Sequence, residues 1–225
     1  IDGPAALHDR IRGVPGSFAR AIATAAALRE LPGVEVHIGS TITAHNADAM
    51  DATWDALQHA LPGWPRRRWH WNAMQLSTHF FANAAQAELQ VPVDRLVRGH
   101  LRARGLPRTM LEAMETAYLV NLAFVAGGEP SRVPCQALRS ALFISPEGDV
   151  LPCHIYDRPL GSVRERDVLA IWHDAATLRA REDIERLACG GCFSACEAYP
   201  ALAGAPLHAV GQTVKRALRL ATERR

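Results

Sequence analysis

Apolar residues recur along this chain with two alternating periods, near 3.6 and near 2. Ser17 is placed to cap a helix whose Phe18, Ile22, Ala25 and Ala26 share a face, and Pro32-Gly33 stops it. "VEVHIGSTIT" (34–43) then sets Val34, Val36, Ile38 and Ile42 on one side. His37, Gly39, Thr41 and Thr43 fall on the other, a β-branched alternation that predicts a strand. "HNADAMDATWDALQHAL" returns to helical spacing through Met50, Trp54, Leu57 and Leu61, and Pro62-Gly63 breaks it. "RWHWNAMQL" is a second strand candidate, and helical patterns follow over 93–104 and 109–125. The order α-β-α-β-α predicts an α/β fold with a parallel sheet or barrel.

The pattern changes at "AGGEPSRVPC", so a domain boundary is expected near Gly128 to Arg132, dividing the chain into 1–130 and 131–225. "GGEP" reads as a helix stop and linker. Beyond it, Ala141 to Ser145 and Val150 to Cys153 read as the arms of a hairpin, with Pro146-Glu147-Gly148-Asp149 as its turn. Helices are expected over 168–179 and 208–222, with a cysteine-rich segment between them.

Composition leaves this picture in place. Across 225 residues, 48% are hydrophobic and 21% charged, enough for a sizeable core. The formal net charge of +2 implies neither a nucleic-acid partner nor a membrane surface. The basic, aromatic run "RRRWHW" (66–71) reads as a loop entering a strand. No apolar stretch approaches the ~20 residues of a membrane helix. No signal peptide is visible, and a reducing, cytoplasmic compartment is expected. The chain begins at Ile1, and its native start is expected further upstream.

The cysteines carry the candidate chemistry. There are five, an odd number, and "CGGCFSAC" holds three of them. That clustering suits metal binding better than a disulfide framework. Cys189 and Cys192 form one knuckle, and Gly190 and Gly191 let the backbone turn tightly between them. Cys135 precedes the hairpin's first arm and Cys153 ends its second, so strand pairing can bring the two together. Four thiolates suit either zinc or an iron–sulfur cluster, and spacing alone does not choose.

Two separated stretches resemble one enzyme family. "IDGPAALHDRIRGVPGSF" (1–18) is similar to the segment after the fourth barrel strand of radical S-adenosylmethionine (radical SAM) enzymes, and "TITAHN" (41–46) to the end of their fifth strand. Cys135-x12-Gly148-x4-Cys153, "GSV" (161–163), Ile171-Trp172 and Cys189-x2-Cys192 resemble the SPASM/twitch domains that follow many such barrels and hold auxiliary [4Fe–4S] clusters. The resemblance implies the second half of a partial (β/α)6 TIM-type barrel, followed by a small α+β SPASM/twitch domain with a β-hairpin.

By this resemblance Cys135, Cys153, Cys189 and Cys192 hold one cluster, with Cys196 as the alternative to Cys192. Arg12 is the candidate for the carboxylate of S-adenosylmethionine, because a guanidinium fork matches a carboxylate. Asp2 and Thr43 are further candidates for that cofactor, and no catalytic residue is assigned. The family's C-x3-C-x2-C loop, which binds the catalytic [4Fe–4S] cluster, is absent from the chain. The cysteines at 189–196 have the mirror spacing and fall in the other domain. The expectation is therefore the C-terminal portion of a radical SAM enzyme, whose full-length form acts on a peptide or small molecule. An electron donor such as a ferredoxin or flavodoxin would serve it. The alternative is a non-catalytic zinc-binding structural or interaction module.

Overall fold

A computed structural model of the chain describes residues 1–189 and 191–222. It divides into two compact units: 1–74 with 88–119, and 75–87 with 120–225.

The first unit opens with α1 (Ala5–Arg12) and α2 (Ser17–Arg29). Helix α1 escaped the periodicity because only His8 is buried along it. Gly16, rather than Ser17, occupies the cap of α2. The capping work passes to Asp9, whose carboxylate accepts from the Gly16 and Phe18 amides and from the Ser17 hydroxyl. The Phe18 amide is the strongest of the influences that hold the Asp9 pKa below the usual range.

Strand β1 (Ile38–Ile42) is shorter than expected, and Val34, four residues before it, is 43% exposed. A 3-10 turn (Ala47–Ala49) leads into α3 (Met50–Ala60), and a second (Arg66–Arg68) into β2 (Trp69–Ala73). The basic run is thus a lead-in to a strand, as its pattern suggested. Its arginines are engaged: Arg67 and Arg68 on Glu112, and Arg66 over the Trp54 ring. β1 and β2 pair in parallel, from Ile38 opposite Trp69 to Ile42 opposite Ala73. With α3 between them they make one β-α-β unit.

Ile38, Ser40 and Ile42 turn into a core with Trp69 and Trp71. The one polar member, Ser40, accepts from the Trp69 indole at 2.8 Å. Helices α4 (Asp94–Arg104) and α5 (Met110–Val125) complete the unit, the latter running on into the second.

In the second unit, Gly128 (φ 90°) sits in the stop after α5, and Glu129 pairs with Arg219. "GGEP" is a helix terminus, as its composition indicated. Strands β3 (Phe143–Ile144), β4 (Asp149–Leu151) and β5 (Gly161–Ser162) form an antiparallel sheet in that order. The hairpin arms are shorter than the expected 141–145 and 150–153. Cys153 therefore lies beyond β4, in a turn, and the third strand had no legible pattern. Gly148 has φ 94°, a conformation in which a side chain is strained, and its amide donates to Ser145 O.

The expected helix over 168–179 is two helices, α6 (Val168–Trp172) and α7 (Ala175–Glu185). Asp167 caps the first by accepting from Leu169 and Ala170, and Asp174 caps the second by accepting from Thr177. Helices α8 (Ala195–Gly204) and α9 (Pro206–Thr222) close the unit. Helix α8 was not anticipated, because its Ala-rich sequence with an internal Pro200 carries little periodic contrast. The core gathers Leu138, Val150, Leu160, Ile171, Ala180 and Ile184 with Cys153 among them.

Candidate metal centre

Four of the five cysteines line one cavity of about 280 Å³ inside the second unit: Cys135, Cys153, Cys189 and Cys192. Cys196 does not line it, and its residue is exposed. The four reach the cavity from different elements. Cys135 leads into the bridge between Ala137 and Ala141, and Cys153 turns in after β4. Cys189 follows α7, and Cys192 precedes α8. Gly191 between them has φ 74°, the left-handed turn that the knuckle requires. Gly190, the other glycine expected there, lies outside the described residues. Among the described residues, no three Cys, His, Asp or Glu side chains meet at the spacing of a single bound ion.

The backbone around the sulfurs is organised in a repeating way. The Ala137 amide donates to Cys135 Sγ at 3.4 Å, and the Ile155 amide to Cys153 Sγ at 3.4 Å. The Ser194 amide does the same for Cys192. In each case the donor is two residues after the cysteine. Cys153 receives a second donor, the Tyr156 amide, at 3.2 Å. Such donors favour negative charge on sulfur.

Burial acts the other way and is the larger effect. It pushes the Cys153 thiol up to about 12 and Cys192 to about 11, and raises Cys135 as well. The Glu197 carboxylate adds to each rise. Thiols in this state are neutral near pH 7, and a bound cation is what makes their thiolate form favourable. Four soft donors around one partly apolar cavity, each of three with an amide aimed at its sulfur, fit an iron–sulfur cluster.

The residues expected to contact S-adenosylmethionine lie in the first unit. Asp2 is 3% exposed; its carboxylate accepts from the Thr41 amide and pairs with Arg12 at 2.6 Å. The Arg12 side chain is half exposed. Thr43 stands past the end of β1, where its hydroxyl accepts from the His45 amide. Asn46, just past Thr43, links these residues. Its amide donates to the carbonyls of Asp2 and Thr41, and its oxygen accepts from the Thr43 amide.

Sequence reasoning missed the role of Ser194 and Glu197. His154 Nδ1 lies 3.0 Å from Glu197 Oε1, and His154 Nε2 lies 3.0 Å from Ser194 Oγ. The available signal was the spacing Ser194-x2-Glu197 directly beside two cysteines.

A thiol-lined cavity in a small α+β unit defines the class of site. Comparison with known proteins makes it more specific: residues 135–196 match the family model of SPASM, an iron-sulfur cluster-binding domain. The match runs from Cys135 to Cys196, the first cysteine to the last, and indicates iron–sulfur binding by this segment. No curated protein and no solved structure matches the chain. Among the described residues no helix is long and apolar enough to cross a membrane.

Proposed function

We propose that Cys135, Cys153, Cys189 and Cys192 hold one auxiliary [4Fe–4S] cluster, and that the chain is the C-terminal portion of a radical SAM enzyme. The observation that carries the reading is the shared cavity: four thiols line it and the fifth does not.

When bound, such a cluster supplies one-electron transfer or a hold on substrate. The chain's own residues do the rest. The amides of Ala137, Ile155, Tyr156 and Ser194 stabilise charge on the sulfurs, which is one of the levers on a cluster's potential. Leu187, Phe193 and Ile184 contribute apolar side chains to the cavity lining.

The first unit supports the barrel half of the reading. On the edge of β1 away from β2, the Ile1 amine donates to Gly39 O at 2.6 Å and Ser40 donates to Ile1 O. The Thr41 amide on the same edge donates to Asp2. These contacts hold the Ile1–Asp2 segment against β1 and bring the Asp2 carboxylate to the end of the strand. Arg12 remains the candidate for the carboxylate of S-adenosylmethionine, with Asp2 as the group that orients its guanidinium. A peptide or small-molecule substrate and a ferredoxin- or flavodoxin-type donor belong to the same proposal.

Anaerobic reconstitution with iron and sulfide tests it. We expect a brown chain holding about four irons and about four sulfides, the content of one cubane cluster. Incubation with reductant and S-adenosylmethionine should yield no 5′-deoxyadenosine, because the C-x3-C-x2-C loop is absent from this chain. A colourless protein with one tightly held zinc would overturn the cluster and leave a structural zinc module.

A further inference from the structure

Ser194, Ala195, Cys196 and Glu197 have the sequence of a capping box, in which a Ser at the N-cap and a Glu three residues later satisfy each other's backbone amides. Ser194 is indeed the N-cap of α8, yet its side chain makes no capping bond. The Glu197 amide goes instead to the Ser194 carbonyl oxygen, and the Ser194 amide to the Cys192 sulfur. Both side chains of the box are turned to His154, the hydroxyl to Nε2 and the carboxylate to Nδ1, each at 3.0 Å. One neutral imidazole with its proton on Nδ1 satisfies both partners. The rings of Phe80 and Phe81 meet this imidazole edge-on, each at 5.8 Å between centroids.

The order Ser-His-Glu invites comparison with a hydrolytic triad, and burial argues against it. Ser194 is 2% exposed and does not line the cavity, so no substrate can reach its hydroxyl. A helix that gives up an N-cap bond loses stability. Something else must gain from the arrangement. His154 follows Cys153, and Ser194 stands two residues after Cys192. The imidazole therefore ties the turn bearing one thiol to the segment bearing another.

We propose that His154 is a positioning residue of the metal centre: a latch, closed on Ser194 and Glu197, that holds Cys153 and Cys192 in register across the cavity. The proposal takes its ligand set from the reading above, but the latch holds the two thiols whichever metal they bind. Losing a partner hydrogen-bonded directly to a metal ligand costs about 10–100-fold in affinity, and a latch acting through the segments that carry two ligands belongs at the lower end of that range.

The test uses the reconstituted chain and a ferrous chelator, with iron release followed by absorbance. His154→Phe, which keeps the ring and removes both nitrogens, should release iron about tenfold faster or more than the parent. Ser194→Ala should also be faster. The double variant should be no faster than His154→Phe alone, because both changes open one latch. Helix content should be unchanged, since the freed Ser194 and Glu197 can close their capping box. His154→Asn, which returns a donor near Nδ1, should recover part of the retention, and the midpoint potential should move with His154→Phe and partly return with His154→Asn. Parent-like release and potential in His154→Phe, or simple multiplication of the two single effects, would overturn the latch. Should His154→Phe fail to fold, Ser194→Ala decides, and parent-like release from it sinks the proposal. A parent chain that takes up zinc alone defeats the iron–sulfur reading only, and zinc release from the same variants then judges the latch. A parent chain that retains neither metal defeats both.

Discussion

Burial decides the chemistry of single residues in this molecule, and His100 shows it most clearly. The ring is stacked on Trp71 with centroids 4.1 Å apart and an interplanar angle of 12°, and it is 1% exposed. Its Nε2 lies 3.1 Å from the Trp69 carbonyl oxygen. Burial first, then the charges of Arg104 and Arg66, depress its pKa to about 3. An unfolded histidine titrates near 6.5, so between these values the unfolded chain binds the additional proton. Stability is therefore full above about pH 6.5 and falls as pH drops, by about 1.4 kcal/mol per unit while only the unfolded state is charged. His100→Phe preserves the stack and removes the proton. Between pH 6.5 and 5, its stability should fall less steeply than the parent's by about that amount per unit. Urea melts followed by tryptophan fluorescence would measure this, and parallel pH profiles would count against it.

At the scale of elements, the boundaries are set by turn and cap chemistry more than by periodicity. β1, β2, α4 and α5 were legible because their buried positions recur regularly: Ile38 and Ile42, Trp69 and Trp71, Val97 and His100. Helix α1 was hidden by its mostly exposed sequence, and α8 by Ala-rich uniformity around Pro200. The break between α6 and α7 comes from Asp174 taking the Thr177 amide, a competition that hydrophobic spacing does not record. The four thiols that line the cavity could be singled out in the sequence because thiols are chemically distinctive. The latch was not, because Ser194-x2-Glu197 has a commoner local meaning as a helix cap.

Leu187 gives a test at this scale. It sits at φ 57° just past α7, where its amide donates to Ile184 O and the Ala188 amide to Asp183 O. This is a Schellman ending with leucine where glycine is the usual occupant. A left-handed residue with a side chain costs about 1–2 kcal/mol, against about 0.5–1 kcal/mol of extra chain entropy lost by glycine. The side chain is 50% exposed, so little burial is forfeited. Leu187→Gly should stabilise the metal-free second unit by up to about 1 kcal/mol. A lowered midpoint in denaturant would show instead that its contact with the cavity outweighs the strain.

Across the whole molecule, the two units stand on different foundations. The first has a continuous core around Trp69, Trp71, Ile42 and Leu57. The second builds its core on short strands and places Cys153 inside it. Metal binding and folding are coupled wherever ligands come from separate segments, and the proposed ligands come from three, around Cys135, around Cys153 and over 189–192. The second unit is thus the part whose order should depend on the bound group, while the first should keep its fold without it.

The five single Cys→Ala variants, each reconstituted anaerobically and assayed for iron per chain, address this coupling at its source. Cys135→Ala, Cys153→Ala, Cys189→Ala and Cys192→Ala remove a thiol from the cavity wall and should each lose most of the iron. Cys196→Ala removes an exposed thiol outside the cavity and should retain the parent's content. Equal loss in all five, a full cluster in Cys135→Ala, or retention by Cys192→Ala with loss in Cys196→Ala would contradict the assignment.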